Sequence, residues 1–212
     1  MWLHERFISR ACALDGCACS VGFERKTTMR LILVFTCGIL SWTQSAQATV
    51  VMKLNRAQMT NLSHLVIHAR VGTIRTVEER PGALSTLIEL EIVESFKGKL
   101  PAGSAVTLLQ VGGTLGDLVQ EIPGTSQFTT GEEVVLFLSA FQNRFVQVGV
   151  GLGRFVVKHT AQGTVASEEF GDVAFASPGK DGVIRPGDPP MPARMPLATL
   201  AAEIRRHVGV RR

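Results

Sequence analysis

The sequence predicts a mainly β fold: a single antiparallel sheet, closed or nearly closed into a barrel, with a short helix before it and an amphipathic helix after it. Three observations support this prediction. Several segments alternate apolar and polar residues with the period of two that a half-buried strand requires. The connections between them are short and contain no helices. Apolar residues recur at helical spacing only near the two ends of the predicted domain.

The N-terminal region has the layout of a secretory signal that starts at Met29. Arg30 supplies the positive charge, an apolar run of ten residues follows, and Ala46-Gln47-Ala48 forms a small-x-small cleavage site. A bilayer span needs about 20 apolar residues, so we predict no permanent membrane anchor. We therefore predict a bacterial exported protein, periplasmic or secreted, whose residues 1–28 lie upstream of the true start and whose signal peptide is 29–48.

Cleavage after Ala48 would change the chemistry of the chain. Cys12, Cys17, Cys19 and Cys37 all precede this site, so the mature chain would contain no cysteine and would depend on its core for stability. The first three thiols alternatively suggest a metal site, but they make an incomplete zinc set without a paired CxxC. We predict no metal and no cofactor.

The predicted mature chain retains 164 of the 212 residues, a length that suits one domain with a single core. Its net charge is +2, because the removed segment carries five basic and three acidic side chains of a chain with +4 in total. It also contains no Trp and no Tyr. The low charge argues against nucleic acid as a partner, and the missing aromatics argue against stacking on bases or sugars.

The elements follow one another in a simple order. A short helix is predicted within 53–65, and alternation then predicts strands over 65–77 and 84–96, joined at Pro81-Gly82 as a hairpin. Further strands are predicted over 105–111, 134–141, 144–150 and 153–160, of which 134–141 is the most apolar and should be central. Residues 112–133 are rich in Gly and lack sustained alternation, which indicates an ordered surface loop.

The C-terminal part differs in composition. We place the β-barrel domain at 49–176 and a Pro/Gly-rich extended linker at 177–196. Residues 197–212 are predicted to form a helix with Leu197, Leu200, Ile204 and Val208 on one face. This helix either docks on the barrel or is a handle for a partner. We favour docking, because an exposed apolar stripe invites aggregation.

No pattern in the sequence indicates catalysis. His64 and His68 have the spacing of helical metal ligands, but the alternation places His68 on a strand, where residues four apart lie about 13 Å from each other. The segment from Gly112 to Asp117 lacks the helix and the Lys of a phosphate loop. Ser126 lacks the elbow motif of a nucleophilic serine.

We therefore predict a non-catalytic domain that binds an unknown protein or small ligand through the loop from Gly112 to Gly131. The predicted binding rim consists of Gly112, Gly113, Asp117, Gly124, Ser126 and Glu132. The competing class is a secreted hydrolase with its site in the same loop. It would require that at least two of the following converge in a pocket: Asp117, Glu121, Ser126, Glu132, Glu133 and His159.

Several segments together resemble a group of exported bacterial β-rich proteins. The shared pattern consists of Lys97-Gly98, Gly112-Gly113, then Phe128 with Gly131-Glu132, and finally Gly151, Gly153, Arg154 and Phe155. It covers residues 62–157, most of the mature domain. The resemblance implies export and a β-rich domain, but no particular activity.

The chain is also similar, more weakly, to the oligonucleotide/oligosaccharide-binding (OB) type of barrel found in netrin-like and metalloprotease-inhibitor domains. Those inhibitors chelate zinc through an N-terminal cysteine, which the predicted mature chain lacks. This resemblance implies an OB-like barrel, with a protease-inhibitor-like module as a further alternative function.

Overall fold

The computed structural model describes residues 50–52, 54–171, 173–178 and 181–209, and strands dominate this part of the chain. The strands are β1 (Val50–Met52), β2 (Leu65–Arg80), β3 (Ala83–Lys97), β4 (Ala105–Val111), β5 (Gly113–Leu115), β6 (Leu118–Gln120), β7 (Glu133–Phe141), β8 (Arg144–Gln147), β9 (Arg154–Thr160), β10 (Gly163–Glu169), β11 (Ala174–Pro178), β12 (Ile184–Gly187) and β13 (Arg194–Pro196). The helices are α1 (Arg56–Leu62) and α2 (Leu197–Gly209). The mainly β class with one helix at each end is confirmed. The predicted upstream start and signal peptide lie outside the described residues.

Eight strands form the main sheet, in the order β13-β10-β9-β7-β2-β3-β4-β8. Strand β7 also pairs with β8, so the pairing runs from β2 through β3, β4 and β8 back to β7. The link between β4 and β8 is a single parallel pair, Leu108 with Phe145. The main sheet is thus not a clean barrel, and it departs from the purely antiparallel prediction at this link. The prediction of a single sheet is wrong, because β1, β11 and β12 form a second sheet and β5 and β6 form a third.

The central strands β2 and β7 bury both of their faces. Side chains alternate between the faces of a strand, so Ile67 and Leu136 contribute to one apolar cluster while Val66 and Phe137 contribute to another. The first cluster lies among β2, β3, β4 and β7, and the second lies under the two helices. Because each face packs in one of these clusters, both faces of β2 and β7 are apolar. The prediction that β7 is central is confirmed.

Helix α1 begins at a capping box. The Asn55 side chain accepts from the backbone N–H of Gln58 at 2.8 Å, and the Gln58 side chain accepts from the N–H of Asn55 at 2.9 Å. At the other end, Lys97 donates from Nζ to the backbone oxygen of Thr60 at 2.7 Å and to that of Ser63. A cation is favourable at a helix C-terminus, so Lys97 ties the end of β3 to α1.

Helix α2 docks on the sheet, as we expected. Leu200 and Ile204 are fully buried in the cluster that includes Phe137, and Leu197 and Val208 are partly buried beside them. Arg205 adds an ion pair with Glu94 of β3. None of the described helices combines the length and apolar character that a membrane crossing requires.

The structure contains regular elements that the sequence pattern did not predict. The predicted surface loop holds the hairpin β5–β6, and the predicted linker holds β12 and β13, of which β13 pairs with β10. Strand β10 itself extends the main sheet beyond β9. Strand β8 ends at Gln147, three residues earlier than predicted.

The docked helix allows a test with a matched control on the same element. Ile204→Ala should lower the free energy of unfolding by about 2–5 kcal/mol, because it leaves a cavity in the core. Arg206→Ala changes an exposed position of α2 and should stay within about 0.5 kcal/mol of the wild type. Urea unfolding measures both, and equal effects would contradict docking.

Candidate functional site

The segment from Gly112 to Gly131 borders three neighbouring cavities. Their volumes are about 400, 210 and 170 Å³. Ser126 lines all three, Gly124 lines the largest, and Gly112 and Gly113 line the second. Four of the six predicted rim residues therefore lie on concave surface.

The beginning of this segment is fixed to the hairpin of β2 and β3. The Gly112 N–H donates to the Leu84 oxygen at 2.8 Å, and its carbonyl accepts from Thr86 Oγ1 at 2.7 Å. A Cβ at Gly113 would lie 2.7 Å from Thr76 Oγ1, so only glycine permits this close approach. Gly112 and Gly113 thus attach the start of the following hairpin to β2 and β3.

The hairpin β5–β6 begins at Gly113 and exposes apolar side chains. Leu118 is 50% exposed and Val119 is 67% exposed, with Leu115 beside them at 39%. Asp117 is exposed in the turn between the two strands and does not line the three cavities. At the end of β6, Gln120 Oε1 accepts from the Leu84 N–H at 2.7 Å and holds the hairpin in place.

The middle of the segment is anchored through backbone contacts. The carbonyl oxygen of buried Gly124 lies against Gly151 and Gly171, at positions that a Cβ on either residue would occupy. Ser126 is 4% exposed and donates from Oγ to Gln147 Oε1 at 3.0 Å. Gln147 in turn donates to the Leu152 oxygen at 2.6 Å. Ser126 is therefore a structural hydroxyl in this arrangement.

The end of the segment is held by a buried guanidinium. Arg154 is 5% exposed and donates from Nη2 to both carboxylate oxygens of Glu132, at 2.9 and 2.8 Å. It also donates from Nη1 to Glu169 at 2.5 Å. Its guanidinium lies over the Phe128 ring, 5.2 Å from the centroid. Such charge-assisted contacts offset the cost of removing the cation from water.

The contacts of Arg154 join two motifs that are separate in the sequence. Phe128 and Glu132 belong to one motif and Arg154 to the other, and the three side chains meet in space. Glu132 was predicted as part of a binding rim, but its carboxylate is engaged by Arg154 instead. Sequence reasoning did not predict a role for Arg154. The available signal was a charged residue placed directly before an apolar strand.

A second polar cluster lies on neighbouring strands outside the Gly-rich segment. Glu133 Oε2 accepts from Nε2 of His68 at 3.0 Å and from Nε2 of His159 at 3.1 Å, while Oε1 accepts from Arg70 at 2.9 Å. These bonds, the one from Arg70 most of all, lower the pKa of Glu133 to about 2 against the opposing effect of its burial. The His159 ring also bonds Thr164 at 3.0 Å.

The positions of the acidic, hydroxyl and histidine candidates bear on the hydrolase alternative. Glu133 and His159 meet, but neither lines a cavity described above. Glu121 and Ser126 both line the cavities of about 400 and 210 Å³, so two of the named candidates do share concave surface, but Ser126 is buried and donates to Gln147. Asp117 is exposed in a turn, and Glu132 bonds Arg154. Among the described residues, no group of three or more His, Cys, Asp or Glu side chains is arranged to hold a metal ion.

Comparison with known proteins adds no assignment: no protein-family model and no curated protein matches the chain. The function is therefore argued from the geometry of the Gly-rich segment.

The Glu133 cluster predicts a loss of stability in acid. The folded-state pKa of about 2 lies below the ordinary 4.5, so the ionised carboxylate stabilises the fold above about pH 4.5. This contribution disappears as the pH falls from 4.5 toward 2. Glu133→Gln should therefore show a smaller drop in unfolding free energy between pH 7 and pH 3 than the wild type. Glu89→Gln, at an exposed position of β3, is the control, and equal drops in all three proteins would contradict the prediction.

Proposed function

We propose that this chain is an exported bacterial β domain that binds a protein partner, without catalysing a reaction, through the surface of the segment from Gly112 to Gly131. The observation that carries the proposal is the hairpin β5–β6, which exposes Leu118 and Val119 on a fixed support. Isolated exposed apolar residues are common, whereas a group on one projecting element is typical of an interaction site.

The rigidity of the hairpin supports a role in binding. Gly112, Gly113 and Gln120 attach it to β3 through hydrogen bonds and close packing. A surface that is already ordered loses little conformational entropy when a partner binds. Long segments with little regular structure are uncommon in compact domains and are usually functional or linkers, and this segment is anchored at several points.

We take β2, β3, β4, β8 and β7 as an OB-like barrel that is incompletely closed, supported by the order of their pairing and by the parallel link between Leu108 and Phe145. The resemblance to exported bacterial proteins is proposed from the sequence motifs alone. Its motif residues serve packing here, as Gly113, Arg154 and Lys97 illustrate.

Export is proposed from the sequence that starts at Met29. The apolar run, the preceding Arg30 and the Ala46-Gln47-Ala48 site together support a cleaved signal. The partner would then be a protein of the bacterial envelope or of the surroundings.

Partner binding can be tested with two double variants that change adjacent exposed apolar residues. Leu118→Lys with Val119→Lys alters the hairpin, whereas Val183→Lys with Ile184→Lys alters residues that are 53% and 58% exposed near β12. After formaldehyde cross-linking in cells that express the full chain, quantitative mass spectrometry identifies the proteins that co-purify. We expect a partner that the wild type and the β12 variant retain and the hairpin variant loses. The same co-purifying proteins in all three samples would contradict the proposal.

A further inference from the structure

Strands β4 and β8 separate after their single parallel pair and leave a gap in the sheet. On one side of the gap lie residues 109–111 of β4, and on the other lie residues 146–151, which include the end of β8 and the following turn. The cavity between them has a volume of about 170 Å³. We refer to this gap as the β4–β8 slot.

The backbone of β4 presents hydrogen-bonding groups to the slot. The Gly112 N–H donates to Leu84 and the Ile92 N–H donates to Ser104, so the even-numbered residues of β4 face β3. In an antiparallel pair the intervening residues point their N–H and C=O groups to the opposite side. The parallel pair of Leu108 with Phe145 uses the Leu109 N–H, so the Leu109 C=O and both backbone groups of Val111 are directed toward the slot. Past Leu108, no described strand pairs with this edge.

The edge lacks the features that usually prevent strand addition. Exposed edges are commonly protected by Lys, by Pro or by a bulge. Strand β4 contains no charged residue and no Pro, and its register with β3 is continuous from Ala105 to Val111. An edge of this kind accepts the backbone of an extended chain.

The lining of the slot defines what it accepts besides a backbone. The residues that line it carry no charge, and the apolar ones are Leu108, Leu109, Val111, Ile122, Val146 and Val150. Small-molecule sites usually measure about 300–1,000 Å³. A cavity of 170 Å³ is below that range and suits a single apolar side chain.

A strained residue stands at the rim of the slot. Val150 has φ of +29°, a conformation that β-branched residues rarely adopt, and its side chain is 46% exposed. Val111, at the opposite rim, is 54% exposed. Strain of this kind costs about 1–3 kcal/mol and is concentrated at binding and switch regions.

We infer that the β4–β8 slot binds an extended, uncharged segment of a partner polypeptide, which adds to the edge of β4 and inserts one apolar side chain into the cavity. This inference rests on the proposed function, because it names the kind of partner that the surface of the Gly-rich segment accepts. The bound strand would fill the interval that the separation of β4 and β8 leaves open.

The test uses a fluorescent, end-blocked peptide in which Thr alternates with Val and one central Leu, titrated against the full chain by fluorescence anisotropy. We expect saturable binding. Val111→Lys places a charge at the edge, and Val150→Gly removes an apolar contact at the opposite rim. Each should weaken binding by about tenfold or more, which corresponds to about 1.4 kcal/mol. Because Gly accepts positive φ, Val150→Gly should leave the melting temperature unchanged or raise it.

Three controls make the result specific. Val93→Lys changes a valine of β3 that is 42% exposed, and it should bind the peptide as the wild type does. A peptide with N-methylated amides keeps the side chains but loses the donors, and it should not bind. The hairpin variant with Lys at 118 and 119 should still bind the peptide. The slot inference would be overturned if the peptide did not bind, or if N-methylation and Val111→Lys left its binding unchanged. The cross-linking result alone decides the proposed function.

Discussion

The buried guanidinium of Arg154 is the interaction on which the Gly-rich segment depends. A cation removed from water needs partners that are themselves held in place, because an uncompensated buried charge costs several kcal/mol. Glu132 supplies a carboxylate that accepts twice from one nitrogen, and Phe128 supplies a ring face. Phe128 lies near the end of the segment and Glu132 directly follows it, whereas Arg154 begins β9. The charge therefore fixes where the segment re-enters the sheet.

The other anchors of the segment act through close backbone approach. Gly113 lies against two threonines, and Gly124 lies against Gly151 and Gly171. Together with the ion pair of Arg154, these contacts hold the beginning, the middle and the end of a segment that contains little regular structure. The exposed hairpin and the β4–β8 slot thus have defined positions. We regard this positional order as the physical basis for a binding function, since the side chains of Gln120, Thr125 and Ser126 make structural bonds.

The sequence predicts the parts of the fold that local periodicity determines. Strands β2, β3 and β7 were predicted because their side chains alternate or are continuously apolar over many residues. Strand β10 has the mixed sequence GTVASEE, whose pairing with β9 is decided by the neighbouring strand and not by its own pattern. The short strands β5, β6 and β13 depend in the same way on their partners.

The assignment of the binding site to this segment stays a prediction, and the bonds that its residues make were not predictable from the sequence. Arg154 contacts Glu132 across 22 positions and Glu169 across 15, and no local pattern encodes such distances. The Glu133 cluster likewise joins His68, which lies 65 positions away. The parallel link between β4 and β8 creates the slot. This link depends on how the sheet closes, and the hydrophobic periodicity of single strands does not predict it.

Hydrogen exchange of the amides from 121 to 130 tests most directly whether Arg154 orders the segment. Arg154→Lys keeps the charge but loses the planar fork and the stacking on Phe128, and Arg144→Lys makes the same change at an ion pair with both side chains more than a third exposed. We predict faster exchange from 121 to 130 in Arg154→Lys, with β2 and β3 still protected, and no change in Arg144→Lys. Unchanged protection of the segment in Arg154→Lys would contradict the account.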